Sequence, residues 1–202
     1  MPSTKAFDRK EQHESKRNAI IREAALAFNE TGYDGTSLDT VAVRLGVTKK
    51  ALYYYIKNKQ ELLKEIFLQW GDVQDWAIER AKNEGKDGLD CLRLYAKYYV
   101  SQVIETMTPM DRIIGELPSL DEDDISQIKK RRKALDEKLA GFVDQAISEG
   151  IATQQSSGMV IKVVNGALDW MFKWYKPTGP KTLDDQVEAV MSIIFKGIDN
   201  RT

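Results

Sequence analysis

The stretch Val47–Leu63, VTKKALYYYIKNKQELL, sets Lys49, Lys50, Tyr53, Tyr54, Tyr55 and Lys59 within one short run. Ammonium groups neutralise phosphates and donate to guanine edges. Phenols hydrogen-bond phosphate oxygens and lay their rings on thymine methyls and sugars. On a helix, Leu52 and Ile56 fall on one side with Lys49 near them, and Lys50 and Tyr54 fall on the opposite side, flanked by Tyr53 and Tyr55. Such a helix packs through its apolar pair and offers lysine and tyrosine to a polyanion. Double-stranded DNA is the partner that this chemistry fits. The plainer alternative is that the tyrosines are half-buried packing residues, and Tyr53 suits it best.

Positioning that face needs helices on both sides of it. SKRNAIIREAALAFNETGYDG sets Ile20, Ile21, Ala24, Ala25 and Phe28 on one stripe, which predicts a helix ended by Gly32. Ser37 can cap a short helix carrying Leu38, Val41, Ala42 and Leu45. Gly46 supplies the left-handed residue that ends it. Thr48 can cap the lysine–tyrosine helix, predicted to run through Tyr55 or Ile56. Asn58 and Glu61 then form a capping box that opens a long helix, with Lys59 in its first turn, where free amides also attract phosphate. Helix, short helix, glycine turn and short helix make the helix-turn-helix pattern. Charge agrees: residues 1–64 carry 12 Lys+Arg against 8 Asp+Glu, and the remainder 18 against 23.

The segment GYDGTSLDTVAVRLGVTKKALYYYIKNKQELL resembles the DNA-binding head of the tetracycline-repressor (TetR) family of bacterial regulators. The residues that carry the likeness are Gly32-Tyr33, Thr36-Ser37, Val41-Ala42, Gly46-Val47-Thr48, Leu52-Tyr53, Lys59 and Leu62-Leu63. The resemblance implies that Ser37, Thr48 and Lys59 meet phosphates and Tyr53 the backbone, while Lys49, Lys50 and Tyr54 reach the major groove. Tyr55 departs from the residues common at its position in the family, which bears on base preference. The implied partition is a DNA-binding head over 1–64 and a ligand-binding and dimerisation body over 65–202.

The body reads as further helices, giving an all-α protein of about nine. The long helix opened at Asn58 is predicted to end near Ala81; the next runs Leu89–Met107, a short one forms around DRIIGEL between Pro109 and Pro118, and a long one runs from Asp123 to Glu149. Two more follow on either side of KPTGP. The last carries Val187, Val190, Met191, Ile194, Phe195 and Ile198 on one stripe. The resemblance implies that this helix and the one before it pair with their counterparts in a second chain, forming a homodimer with two half-sites to read. Lining the chain's own core is the alternative for that stripe.

Aromatic residues crowd the middle helices, and surplus large side chains commonly line a pocket for an apolar effector. Phe67, Trp70, Tyr95, Tyr99, Trp170 and Trp174 are the candidates. Trp170, Trp174-Tyr175, Pro177 and Gly179 resemble a branch of the family that senses acyl-CoA thioesters, which implies Arg131 and Arg132 as anchors for nucleotide phosphates. Another apolar small molecule, or no ligand at all, stays open at this point.

Other chemistries fare poorly. The sole histidine, His13, has no partner in sequence, and the chain shows no Glu-x-x-His pair, glycine-rich phosphate loop or nucleophile elbow. DEDD at Asp121–Asp124 suits a helix start better than a hard metal, and KKRRK at Lys129–Lys133 suits a solvated face. No cofactor is expected. The rivals to an effector-controlled repressor are a constitutive or architectural DNA-binding protein and, more remotely, a helical-bundle enzyme. One cysteine, Cys91, and a polar N-terminal stretch fit a cytoplasmic protein, and no apolar run approaches the roughly 18 residues that span a bilayer.

Overall fold

The computed structural model describes residues 4–106 and 113–198. Eight α-helices are found there, and no strand: α1 Thr4–Thr31, α2 Leu38–Arg44, α3 Lys49–Tyr53, α4 Lys59–Glu84, α5 Gly88–Thr106, α6 Glu122–Ser148, α7 Ser157–Trp174 and α8 Leu183–Ile198. A 3-10 helix, Ile113–Ser119, lies between α5 and α6. The all-α expectation holds. Over its described residues the predicted short helix around DRIIGEL is this 3-10 helix, while its Asp111 and Arg112 lie outside them; Pro118, inside it, has no N–H to give a longer ladder. Pro109, Met107 and the side chain of Ile198 lie outside the described residues.

The chain divides into two compact units: Met1–Leu68 with Arg112–Ile125, and Gln69–Asp111 with Ser126–Thr202. The division falls inside α4 and inside α6. In the first unit α1 buries Ile20, Ile21, Ala24 and Phe28 in a core with Val41, Leu52, Ile56, Leu62 and Leu63. The 3-10 helix packs on α1, and Ile113 is fully buried. Helix α1 starts well before the stripe that predicted it. Its polar first half carries no apolar period, yet Arg17 on α1 reaches Glu65 at 3.0 Å and Glu61 at 3.4 Å on α4.

The local signals act as read. Ser37 Oγ accepts from the Thr40 amide at 3.0 Å, and Thr48 Oγ1 accepts from the Ala51 amide at 3.2 Å. Gly32 and Gly46 take φ of +80° and +65°, where a Cβ would be strained. Asn58 Oδ1 accepts from the Glu61 amide at 2.7 Å, while the Glu61 carboxylate reaches back one residue further than a standard capping box, to the Lys57 amide at 2.6 Å. Arg44 at the end of α2 is clamped between Glu23 and Glu30 of α1.

In the second unit α8 packs on α5 and α7. Tyr95 and Tyr99 of α5 are completely buried and stack with ring centroids 5.6 Å apart. Cys91 is buried beside them in sequence, and burial pushes its thiol up, away from reactivity.

Candidate functional site

Helix α3 is one residue longer than a turn, held at its start by Thr48 and ended by Tyr54. It is shorter than the pattern predicts. The amides of Tyr55 and Ile56 both return to the Leu52 carbonyl, so the last residues form a closing turn rather than more helix. Leu52 and Ile56 are buried as expected. Tyr54 stands 73% exposed, Tyr53 is 44% exposed, Lys50 is exposed and Tyr55 is half-buried.

Lys49 also faces solvent, although the helical projection sets it near the packed side. Its ammonium holds Asp39 of α2 at 2.8 Å and lies 5.9 Å from the Tyr53 ring, and the Asp39 bond raises its pKa. Lys59 sits 4.0 Å over the Tyr33 ring, a cation–π seat that holds it at the α4 start. Ser37, Thr48, Lys49, Lys50, Tyr53, Tyr54, Tyr55 and Lys59 thus all belong to the first unit: Ser37 at the cap of α2, Thr48 to Tyr55 on α3 and the turns at its ends, and Lys59 in the first turn of α4. One residue that sequence reading passed over joins them: the His13 ring lies 5.7 Å from that of Tyr54 and 4.7 Å from that of Tyr55.

The second unit treats the effector candidates unevenly. Trp70, Tyr95 and Tyr99 come together in a buried polar network. Trp70 Nε1 donates to the Tyr99 hydroxyl at 2.9 Å, and that hydroxyl donates to Asp169 Oδ1 at 2.8 Å. Tyr95 donates to Asn165 Oδ1 at 3.2 Å, and the Asn165 amide donates to Asp136 at 3.0 Å. Burial pushes both carboxyls up, with the Tyr99 hydroxyl and Arg132 pulling Asp169 back down, and Arg132 and Lys162 doing so for Asp136. Arg132 therefore faces acids of its own chain. Arg131 is engaged with Asp72 at 2.5 Å. Phe67 is buried in the first unit and does not join that network. Trp170 and Trp174 are 62% and 43% exposed on α7. Asn165 and Asp169 were missed because isolated polar residues on the largely apolar α7 leave no motif, and Asp136 because it is one carboxylate among the many charges of α6.

The residues assigned to an interface split in the same way. Val187, Met191 and Phe195 of α8 are buried in the chain's own core. Val190 and Ile194 are half-buried, and Ile193, one position off the expected stripe, is 72% exposed. On α7, Met159, Val163, Trp170 and Trp174 are all exposed, while Val160, Ile161, Val164, Leu168 and Met171 are buried. Trp174, Lys181, Gln186, Ala189, Val190 and Ile193 line an open groove of about 310 Å³. Among the described residues no cluster of three or more His, Cys, Asp or Glu could hold a metal.

Two family models match the chain. One, described as "Bacterial regulatory proteins, tetR family", covers residues 20–66, and the other, "Tetracyclin repressor-like, C-terminal domain", covers residues 85–198. The chain belongs to the TetR family. It is a regulator of transcription and not an enzyme.

Within the TetR family it is 25% identical over 131 residues to IcaR of Staphylococcus aureus, the negative transcriptional regulator of the biofilm operon icaADBC; the match covers 64% of this chain and 70% of IcaR. The crystal structure of the TetR regulator PfmR from Thermus thermophilus superposes with a TM-score of 0.77 at 26% identity, over 88% of this chain and 97% of PfmR. AibR, solved in complex with isovaleryl coenzyme A and operator DNA, superposes with a TM-score of 0.72 at 24% identity, over 89% of this chain and 97% of AibR. The AibR likeness is one of fold.

Proposed function

We propose that this TetR-family chain is a repressor that binds a palindromic DNA operator as a homodimer and is released by an apolar small molecule, with an acyl-CoA thioester the class to test first. The observation that carries DNA reading is the outward face of α3, where Lys50 and Tyr54 stand exposed on a turn whose other side is locked by Leu52 and Ile56. Ser37, Thr48, Tyr53 and Lys59 meet the backbone, and Lys49, held by Asp39, reaches bases only by exchanging that partner. A DNA partner places the protein in the cytoplasm.

Dimerisation is supported by α7, which is apolar over more than half of its circumference. Its buried residues already complete the core, so Met159, Val163, Trp170 and Trp174, at i, i+4, i+11 and i+15, need another cover. Gly166, exposed between them with open space where a Cβ would be, lets a second backbone come close. The half of the α8 stripe that suits an interface is Val190 and Ile194 together with Ile193. The acyl-CoA reading is supported by the C-terminal pattern around Trp170 and Pro177 and by the AibR complex.

A duplex selected from a random pool by the wild-type chain serves as the probe. Fluorescence anisotropy should show Lys50→Ala and Tyr54→Ala each weakening binding by about 1–3 kcal/mol. Addition of isovaleryl-CoA and longer thioesters should release the duplex. No release by any thioester would discard the acyl-CoA class and leave the DNA-binding regulator standing.

A further inference from the structure

We propose that His13 is a positioning residue of the DNA-reading face, acting through Tyr54; the inference rests on the DNA-binding reading above. Tyr54 is the most exposed of the three tyrosines, so little of the core restrains its ring. What restrains it is a cluster of three rings. Tyr54 meets Tyr55 edge to face at 5.0 Å and 87°, and His13 closes the group with an edge contact to Tyr54 at 71° and a tilted contact to Tyr55 at 43°.

The three rings come from opposite ends of the head's sequence. His13 lies in the polar first half of α1, a segment that contributes nothing described to the hydrophobic core before Ile20. Its helical extension has a purpose in this light: it carries one aromatic side chain to the closing turn of α3. Arg17, one turn further along, fixes that part of α1 through Glu61 and Glu65 of α4. An exposed side chain that must be ordered on binding costs affinity, and a ring already seated against two others loses less. Edge and tilted ring contacts also define the direction in which the Tyr54 hydroxyl points.

The test is a double-mutant cycle on the selected duplex, read by anisotropy at several salt concentrations. His13→Ala and His13→Gln should each weaken binding roughly three- to tenfold, while His13→Phe, which keeps a ring, should stay within about twofold of wild type. In a Tyr54→Ala background, His13→Ala should add less than about twofold. The salt slope should not change, and a fresh selection with His13→Gln should relax the same base pairs that Tyr54→Ala relaxes. The inference is overturned by an undiminished His13 effect in the Tyr54→Ala background, by His13→Phe binding as weakly as His13→Ala, or by no effect at all. A salt slope lowered by about one would also overturn it, marking a direct phosphate contact instead. If Lys50→Ala and Tyr54→Ala themselves bind as wild type, the reading of the whole face fails and this inference with it. A failure of the cycle while those two variants stay weak sinks only the role of His13.

Discussion

Tyr99 shows what a single buried hydroxyl holds. It accepts from Trp70 on α4 and donates to Asp169 on α7, so its removal leaves two polar groups without their partner. Tyr99→Phe should cost about 1–3 kcal/mol for each orphaned group, measured by urea unfolding. Asp169 tells the same story through pH. Burial holds its carboxyl above the ordinary range, so the folded chain keeps that proton at a pH where the unfolded chain has lost it. This group's contribution therefore falls as pH rises from about 4, the ordinary carboxylate value, through the raised pKa, and is level above it. Asp169→Asn keeps an acceptor for Tyr99 and removes the titration. Its stability relative to wild type should rise across that window and then plateau, and a flat difference would exclude Asp169 as the source.

At the scale of elements, α8 separates two kinds of apolar residue that its sequence makes look alike. Phe195 is core, and Phe195→Ala should lower stability by about 3–5 kcal/mol. Ile193 is exposed, and Ile193→Asp should leave the chain folded while light scattering reports a monomer. If Ile193→Asp stays dimeric, the α7–α8 face is not the interface. Helix ends were legible in the sequence because their causes are local: the Ser37 and Thr48 caps and the glycines at positive φ lie within four residues of what they satisfy. Thr48→Ala should accordingly cost about 1 kcal/mol. The face of α8 was not legible, since a stripe at helical spacing looks the same whether its cover is its own chain or another. The ring cluster was not legible either, because His13 and Tyr54 meet only after α1 and α3 have packed, and nothing in the spacing of one announces the other.

At the scale of the molecule, all four tryptophans, at 70, 76, 170 and 174, belong to the second unit. Trp170 and Trp174 are exposed in the single chain, so dilution that separates a dimer should shift emission to the red. An effector that weakens DNA binding must itself bind the DNA-bound protein more weakly by the same factor. Titrating isovaleryl-CoA by tryptophan fluorescence, with and without the duplex, should return two affinities whose ratio matches the loss of DNA affinity. Unequal factors would show that the thioester acts some other way.

The first unit is made from two separate lengths of chain, and this bears on how such heads can be exchanged. Ile113 and Leu120 are buried, Gln60 donates to the Ser119 carbonyl at 3.1 Å, and Lys64 pairs with Asp124. A chimera spliced once, at Leu68, inherits the lysines and tyrosines but leaves behind the strap that closes over α1. Grafting this head onto another body takes two crossovers, the second carrying residues 112–125. In a lineage that shuffles its operator preferences by recombination, the short stretch after α5 should therefore travel with the distant helix-turn-helix rather than with its own neighbours.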